Sequence, residues 1–213
     1  MAKIKSDADI AEGLTALCLL DPCLVRVVDA AGPVPLRLAE PGFAGLAHII
    51  VSQMVSKASA SAIWRRMSAQ GTVDAANYLA HTPDVVAGFG LSRAKARTLE
   101  TLARAVVEGH LDLDGLADLE DEDIQARLVA LPGIGPWTAE VYRMLCLGSR
   151  DIFPAGDVAL RAAVGHAFQW SQRPTADEVA ERALFWRPWR AVAARLFWAY
   201  YASVLRRDAL PLG

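Results

Sequence analysis

The chain has 213 residues, 54% of them apolar, with three cysteines, a formal net charge of −2 and a sequence pI of about 6.1. That apolar content excludes a disordered chain, three cysteines cannot supply the four thiolates of an iron–sulfur loop, and Asp7, Asp9 and Glu12 ahead of a short apolar run exclude a secretory signal. An acidic pI counts against nucleic-acid binding through a basic surface, which leaves backbone amides at helix N-termini as an uncharged route to phosphate.

Residues 8–20 follow a helical period. Residues 24–38 combine Val25, Val27, Val28 and Val34 with the breakers Gly32, Pro33 and Pro35, and fit either a short extended piece or a loop. From Pro41, the residues Phe43, Leu46, Ile49 and Ile50 form a helical stripe. Ser56 reads as the N-cap of the next helix, so Ser52-Gln53-Met54-Val55 falls at a helix–helix junction. Short helices follow Thr72, with Asp74 in the first turn, and Thr82, with Pro83 at the first helical position. Gly88-Phe89-Gly90-Leu91-Ser92 is a turn in which Ser92 caps a helix from Arg93 to Glu108, closed by Gly109. Helices over 122–130, 136–147, 158–168, 175–184 and 188–206 complete the pattern, the fourth of these opening on a Thr175–Glu178 capping box. Arg190 and Arg195 interrupt the last apolar run, which therefore reads as an amphipathic helix and not a membrane span. With no repeat and no linker, the pattern predicts one all-α domain over residues 1–213, about ten helices in two lobes around a cleft, with a hairpin at about 122–147.

The most informative stretch is Leu131-Pro132-Gly133-Ile134-Gly135-Pro136-Trp137-Thr138-Ala139, followed by an apolar helix and then Phe153-Pro154-Ala155-Gly156-Asp157. Two glycines one residue apart between helical patterns make a tight hairpin in which each glycine is able to take positive φ. The helix that begins at Pro136 then offers backbone N–H groups to a phosphate. Asp157, 24 residues after Gly133, is a lone carboxylate at a helix start. It is able to cap that helix and to steady a developing positive charge, roles that do not conflict because helix amides favour a negative charge there.

These residues resemble the superfamily of DNA glycosylases that combine a helix-hairpin-helix element with a Gly/Pro-rich loop and an aspartate. The resemblance runs from about residue 40 to residue 205 and includes Ile50-Val51-Ser52-Gln53, Gly90-Leu91-Ser92-Arg93-Ala94-Lys95-Ala96, the hairpin and Asp157. Trp186-Arg187-Pro188-Trp189-Arg190, with Trp198 after it, looks most like the bacterial 3-methyladenine DNA glycosylase II branch. The resemblance implies an enzyme that flips an alkylated base out of double-stranded DNA and hydrolyses its glycosidic bond, with Asp157 as the catalytic carboxylate. A cationic leaving base needs no general acid, so one carboxylate suffices. Where strand-nicking relatives have a nucleophilic lysine, this chain has Trp137, which cannot attack the sugar. A monofunctional glycosylase follows.

The resemblance further suggests Trp137 and Trp198 as walls for the flipped base, with Phe43, Tyr142 and Trp189 as weaker choices, each also explicable as core. Met54 beside Gln53 is the candidate wedge for the vacated stack. Gly133, Ile134, Gly135 and Thr138 would grip DNA at the hairpin, and Ser92 and Lys95, with Arg93 and Arg97 alongside, would form a second phosphate grip. Backbone carbonyls of Val129, Leu131 and Ile134 would hold a Na+ or K+ ion, with no obligatory metal. Cys18, Cys23 and Cys146 read as buried thiols in a reducing compartment, and His48, His81, His110 and His166 as structural or solvated. A cytoplasmic monomer is expected, with no membrane partner and without the β-rich domain that often precedes the helical part in relatives. The rival readings are a glycosylase for uracil or another deaminated or mismatched base, a non-catalytic hairpin module that only binds DNA, and a helical interaction protein with no nucleic-acid role.

Overall fold

A computed structural model describes residues 3–205. Within them the chain forms twelve α-helices and three single 3-10 turns, and β-structure is limited to an isolated bridge between Lys3 and Ser149. The described residues divide into two compact units, one made of 3–38 with 148–205 and the other of 39–147.

The contiguous unit holds α3 (Phe43–Ser52), α4 (Lys57–Ser68), α5 (Ala75–Ala80), α6 (Pro83–Gly88), α7 (Arg93–Val107), α8 (Asp121–Val129) and α9 (Pro136–Leu145). Ser56, Asp74, Thr82 and Ser92 each accept a backbone N–H at a helix start, the interaction that makes such residues preferred N-caps. Asp74 therefore lies one position before the first turn expected to contain it. α3 packs against α4, α7 and α9, burying Leu46, Ile49 and Ile50 with Leu99, Leu102 and Val141. Tyr142 is buried here too, and its hydroxyl accepts the Gly42 N–H at 2.8 Å, so it is core rather than pocket wall. Phe43 is likewise buried, 6.2 Å from the Tyr78 ring.

The discontinuous unit holds α1 (Asp7–Leu20), α2 (Val25–Ala31), α10 (Val158–Ala167), α11 (Ala176–Ala183) and α12 (Arg190–Val204). Of the stretch 24–38, residues 25–31 are helical, neither a strand nor a loop, while 32–38, with Val34 and the breakers, is loop. The helix packs on α12 and stops at Gly32, whose φ is +70°. α12 begins at Arg190, two residues later than expected, after the Trp189 N–H closes a turn onto the Trp186 carbonyl at 2.7 Å; the expected last residue, Arg206, lies outside the described residues. α12 is not amphipathic. Every residue from Ala191 to Tyr200 is buried, the signature of a core helix. Arg195 survives inside because its Nε donates to the Leu36 carbonyl at 2.7 Å and its Nη1 to the Ala191 carbonyl at 3.1 Å, although burial still pushes its pKa down to about 10.

Trp186, Phe153, Phe168 and Phe197 form an aromatic cluster beside α12, with the Trp186 and Phe197 rings 5.0 Å apart. Asp21 locks its edge: it accepts the Trp186 indole N–H at 3.0 Å and pairs with Arg182. The cysteines are not uniformly buried. Cys23 is exposed, because its 3-10 turn turns Leu24 inward instead, while Cys18 and Cys146 are half-buried. Burial raises the Cys18 thiol and pushes Cys146 up to about 12. No helix among the described residues is long and apolar enough to cross a membrane.

Candidate nucleic-acid and base-excision site

In the contiguous unit, α8 runs into the hairpin and α9 leaves it. Gly133 has φ +91°, and a Cβ built there would overlap the Thr98 side chain on α7. Glycine is thus required twice, by backbone conformation and by close approach. Gly135 departs from the expectation of positive φ: it sits at −92° as the N-cap of α9, in extended backbone open to any residue, and a Cβ there would meet nothing within 4 Å. What its missing side chain leaves is open space in front of α9, a helix whose start no side chain caps.

Other hairpin residues serve the fold more than the surface. Ile134 is buried and its N–H donates to the Leu131 carbonyl at 3.1 Å. Thr138 is only 2% exposed, and its hydroxyl accepts the Gln53 Nε2–H at 2.6 Å. Gln53 and Thr138, both expected at DNA, therefore meet each other. Trp137 stands in the first turn of α9, half-buried.

The junction between α3 and α4 presents a different picture. Met54 is 96% exposed and has φ +53°. A non-glycine residue in this left-handed region costs roughly 1 kcal/mol or more, so the loop holds a large apolar side chain outward at the expense of backbone strain. Lys95 does not extend from α7 as a free charge. Its ammonium donates to the carbonyls of Val51 at 2.8 Å and Gln53 at 2.6 Å, and desolvation lowers its pKa. That long-range bond had no counterpart in the sequence pattern. Ser92 accepts the Lys95 N–H at 3.3 Å as the helix cap, while Arg93 and Arg97 are exposed.

In the discontinuous unit, Asp157 is the N-cap of α10 and half-buried. Its Oδ1 accepts the N–H groups of Ala159 at 2.8 Å and Leu160 at 2.9 Å, together with a longer contact from the Trp198 indole N–H at 3.4 Å. Three donors on one oxygen fix the carboxylate's orientation. Trp198 has 0% exposure, so its ring offers no open face here and it meets the site through its N–H. The approach to Asp157 is anchored at both ends. Phe153 is sunk in the aromatic cluster, and the Asp157 N–H returns to the Pro154 carbonyl at 2.9 Å. Upstream, Arg190 grips Asp151 with Nε at 2.7 Å and Nη2 at 3.1 Å, and Arg187 adds a bond at 3.0 Å. Burial raises the Asp151 carboxyl, but the two guanidiniums outweigh it and hold it below the usual carboxylate range. Trp189 is buried under the Arg150 guanidinium, 4.6 Å away. The tryptophan- and arginine-rich segment thus braces the aspartate loop, a role that its residues taken one by one do not announce.

No group of three or more His, Cys, Asp or Glu that could hold a metal ion occurs among the described residues. His48 stacks on Trp64 with ring centres 4.3 Å apart, and His166 Nδ1 lies 3.0 Å from the Tyr200 hydroxyl.

The chain is similar to the probable bifunctional transcriptional activator/DNA repair enzyme AlkA of Mycobacterium tuberculosis, at 34% identity over 207 residues that cover 90% of this chain and 40% of that protein. It is also similar to the putative DNA-3-methyladenine glycosylase YfjP of Bacillus subtilis, at 34% identity over 110 residues, 52% of this chain and 38% of that one. The chain thus spans about two fifths of the length of these curated relatives. Its fold matches the Schizosaccharomyces pombe 3-methyladenine DNA glycosylase Mag1 in complex with abasic DNA, with a TM-score of 0.81 at 24% identity, covering 90% of this chain and 95% of that one. The family model for HhH-GPD superfamily base excision DNA repair proteins matches residues 47–190, and the chain belongs to that family.

Proposed function

We propose that this protein is a DNA glycosylase of base excision repair that removes alkylated bases of the 3-methyladenine and 7-methylguanine type from double-stranded DNA. The observation that carries the reading is Asp157, a carboxylate pinned through one oxygen by two helix amides and an indole N–H, in a chain whose family repairs DNA by base excision. The names of the relatives support the choice of lesion. An alkylated purine leaves as a neutral base from a cationic one, so the glycosidic bond is weak before the enzyme acts. The sugar becomes oxocarbenium-like as the base departs. A fixed carboxylate stabilises that charge and orients the attacking water.

Trp137, at the position where strand-nicking relatives have lysine, supports a monofunctional reaction that stops at the abasic site, and its half-buried indole would stack on the extruded base. The hairpin, with Gly133 and Gly135, would grip phosphate through backbone amides, which suits a protein with net charge −2. The carbonyls of Val129, Leu131 and Ile134 are the hard oxygen donors that Na+ or K+ takes, and an ion there would tie the hairpin to the DNA backbone.

Incubating the protein with methylated duplex DNA and separating released bases by chromatography tests the proposal. Free 3-methyladenine or 7-methylguanine is the expected product, and release of neither overturns it. Met54 is the wedge in this reading. Met54→Ala is expected to slow release from duplex DNA about tenfold, since unstacking costs a few kcal/mol. The same change should leave unfolding free energy within about 0.5 kcal/mol, because a side chain this exposed has little packing to lose. Trp198→Phe keeps most of the ring and removes the N–H to Asp157. It should destabilise the fold by about 1–2 kcal/mol in urea and slow release several-fold in single-turnover assays.

A further inference from the structure

Resting on the glycosylase reading above, we propose that Lys95 is a positioning residue: its ammonium clamps the carboxyl end of α3 and so holds Met54 in the outward, left-handed conformation that base extrusion uses. The last carbonyls of a helix lack intrahelical partners, and a lysine suits the negative end of the helix dipole. Here the lysine comes from 44 residues away in sequence and takes two carbonyls, Val51 and Gln53, on either side of Ser52. Ser52 does not close the helix itself, since its buried hydroxyl has no hydrogen-bond partner. On the other side of the loop, the Gln53 side chain is held by Thr138 of α9. Residues 51–53 are therefore fixed from two helices, and Met54, next in sequence, is presented with φ +53° and 96% exposure.

The same helix sets the hairpin. Thr98 lies three residues after Lys95, on the same face of α7, and it is the surface against which Gly133 rests. Lys95 and Thr98 thus hold the wedge loop and the phosphate-gripping hairpin at one spacing from a single rigid element. Two of the ammonium's three protons are committed to carbonyls, so the charge that the sequence offered as a phosphate contact acts within the protein.

The test is Lys95→Met in the full chain. In amide hydrogen exchange without DNA, the Gln53 N–H, which donates to the Ile50 carbonyl at 3.3 Å, and its neighbours through Val55 should exchange about tenfold faster or more, while α8 and α9 keep their protection. Single-turnover release of 7-methylguanine from duplex DNA should fall about tenfold, the loss expected for Met54→Ala itself. The slope of log affinity against log salt should not change, and Lys95→Arg, which keeps the donors, should recover most of the rate. Adding Lys95→Met to Met54→Ala should cost nothing beyond Met54→Ala alone.

Unchanged exchange at residues 53–55 overturns the proposal. So does a salt slope lower by about one phosphate contact together with losses that add in the double variant. If the unaltered protein releases no methylated base, the glycosylase reading fails, and the exchange measurement alone still decides whether the clamp exists.

Discussion

Asp157→Asn is expected to slow base release by about 10²–10³-fold while leaving the fold and the DNA affinity largely intact. Asparagine is as good an N-cap as aspartate, so the bonds from Ala159 and Leu160 persist. The stability loss should stay below about 1 kcal/mol, the usual worth of a charge at a helix N-terminus. The rate falls for a different reason. A neutral amide cannot stabilise an oxocarbenium-like sugar, and removing one preorganised electrostatic group from a transition state typically costs about 10²–10³-fold. Single-turnover release measures the first effect, urea denaturation the second, and fluorescence anisotropy with abasic DNA the third. A variant that keeps its rate within tenfold would show that Asp157 serves only as a helix cap.

Gly133→Ala should produce the largest loss of stability in the hairpin. The substitution forces a side chain into φ +91° and into the Thr98 side chain. Left-handed strain of about 1–2 kcal/mol and overpacking of about 1–3 kcal/mol together predict a loss of about 2–5 kcal/mol in urea, with weaker DNA binding. Gly135→Ala is the internal control. Its φ is −92° and its surroundings are open, so its unfolding free energy should move by no more than about 1 kcal/mol. A drop in DNA affinity without a drop in stability at Gly135 would mean that the space before α9 is where phosphate sits. Equal stability losses at the two glycines would contradict this account of the hairpin.

The contrast between these glycines shows how far the sequence could be read. Local signals carried well: Ser56, Thr82, Ser92 and Thr175 cap the helices expected of them, because a cap is decided within four residues. The hairpin and Asp157 were legible for the same reason, as a turn and a helix start. Features settled by distant partners were not. Residues 25–31 carry β-branched residues ahead of glycine and proline breakers, yet burial against α12 makes them helical. Arg195 looked like one side of an amphipathic helix because nothing nearby in sequence announces the Leu36 carbonyl that accommodates it. Lys95 read as a phosphate contact, and its bonds to carbonyls within the protein went unseen because both acceptors lie more than forty residues upstream. In each case a contact from far along the chain carried what the local pattern did not.

The division of the chain has a consequence for its synthesis. Residues 39–147 form one uninterrupted compact unit, whereas the other is assembled from 3–38 and 148–205. As the polypeptide leaves the ribosome, the middle stretch has all its internal partners before the final third has emerged. The amino-terminal helices, by contrast, must wait, because Ile4 donates to the Gly148 carbonyl and α2 lies on α12. Pairings across such long loops are slow to form and leave apolar surface uncovered meanwhile. Nascent chains stalled before α12 should therefore present the apolar faces of α1 and α2 to chaperones, while protease resistance has already appeared in the middle of the molecule.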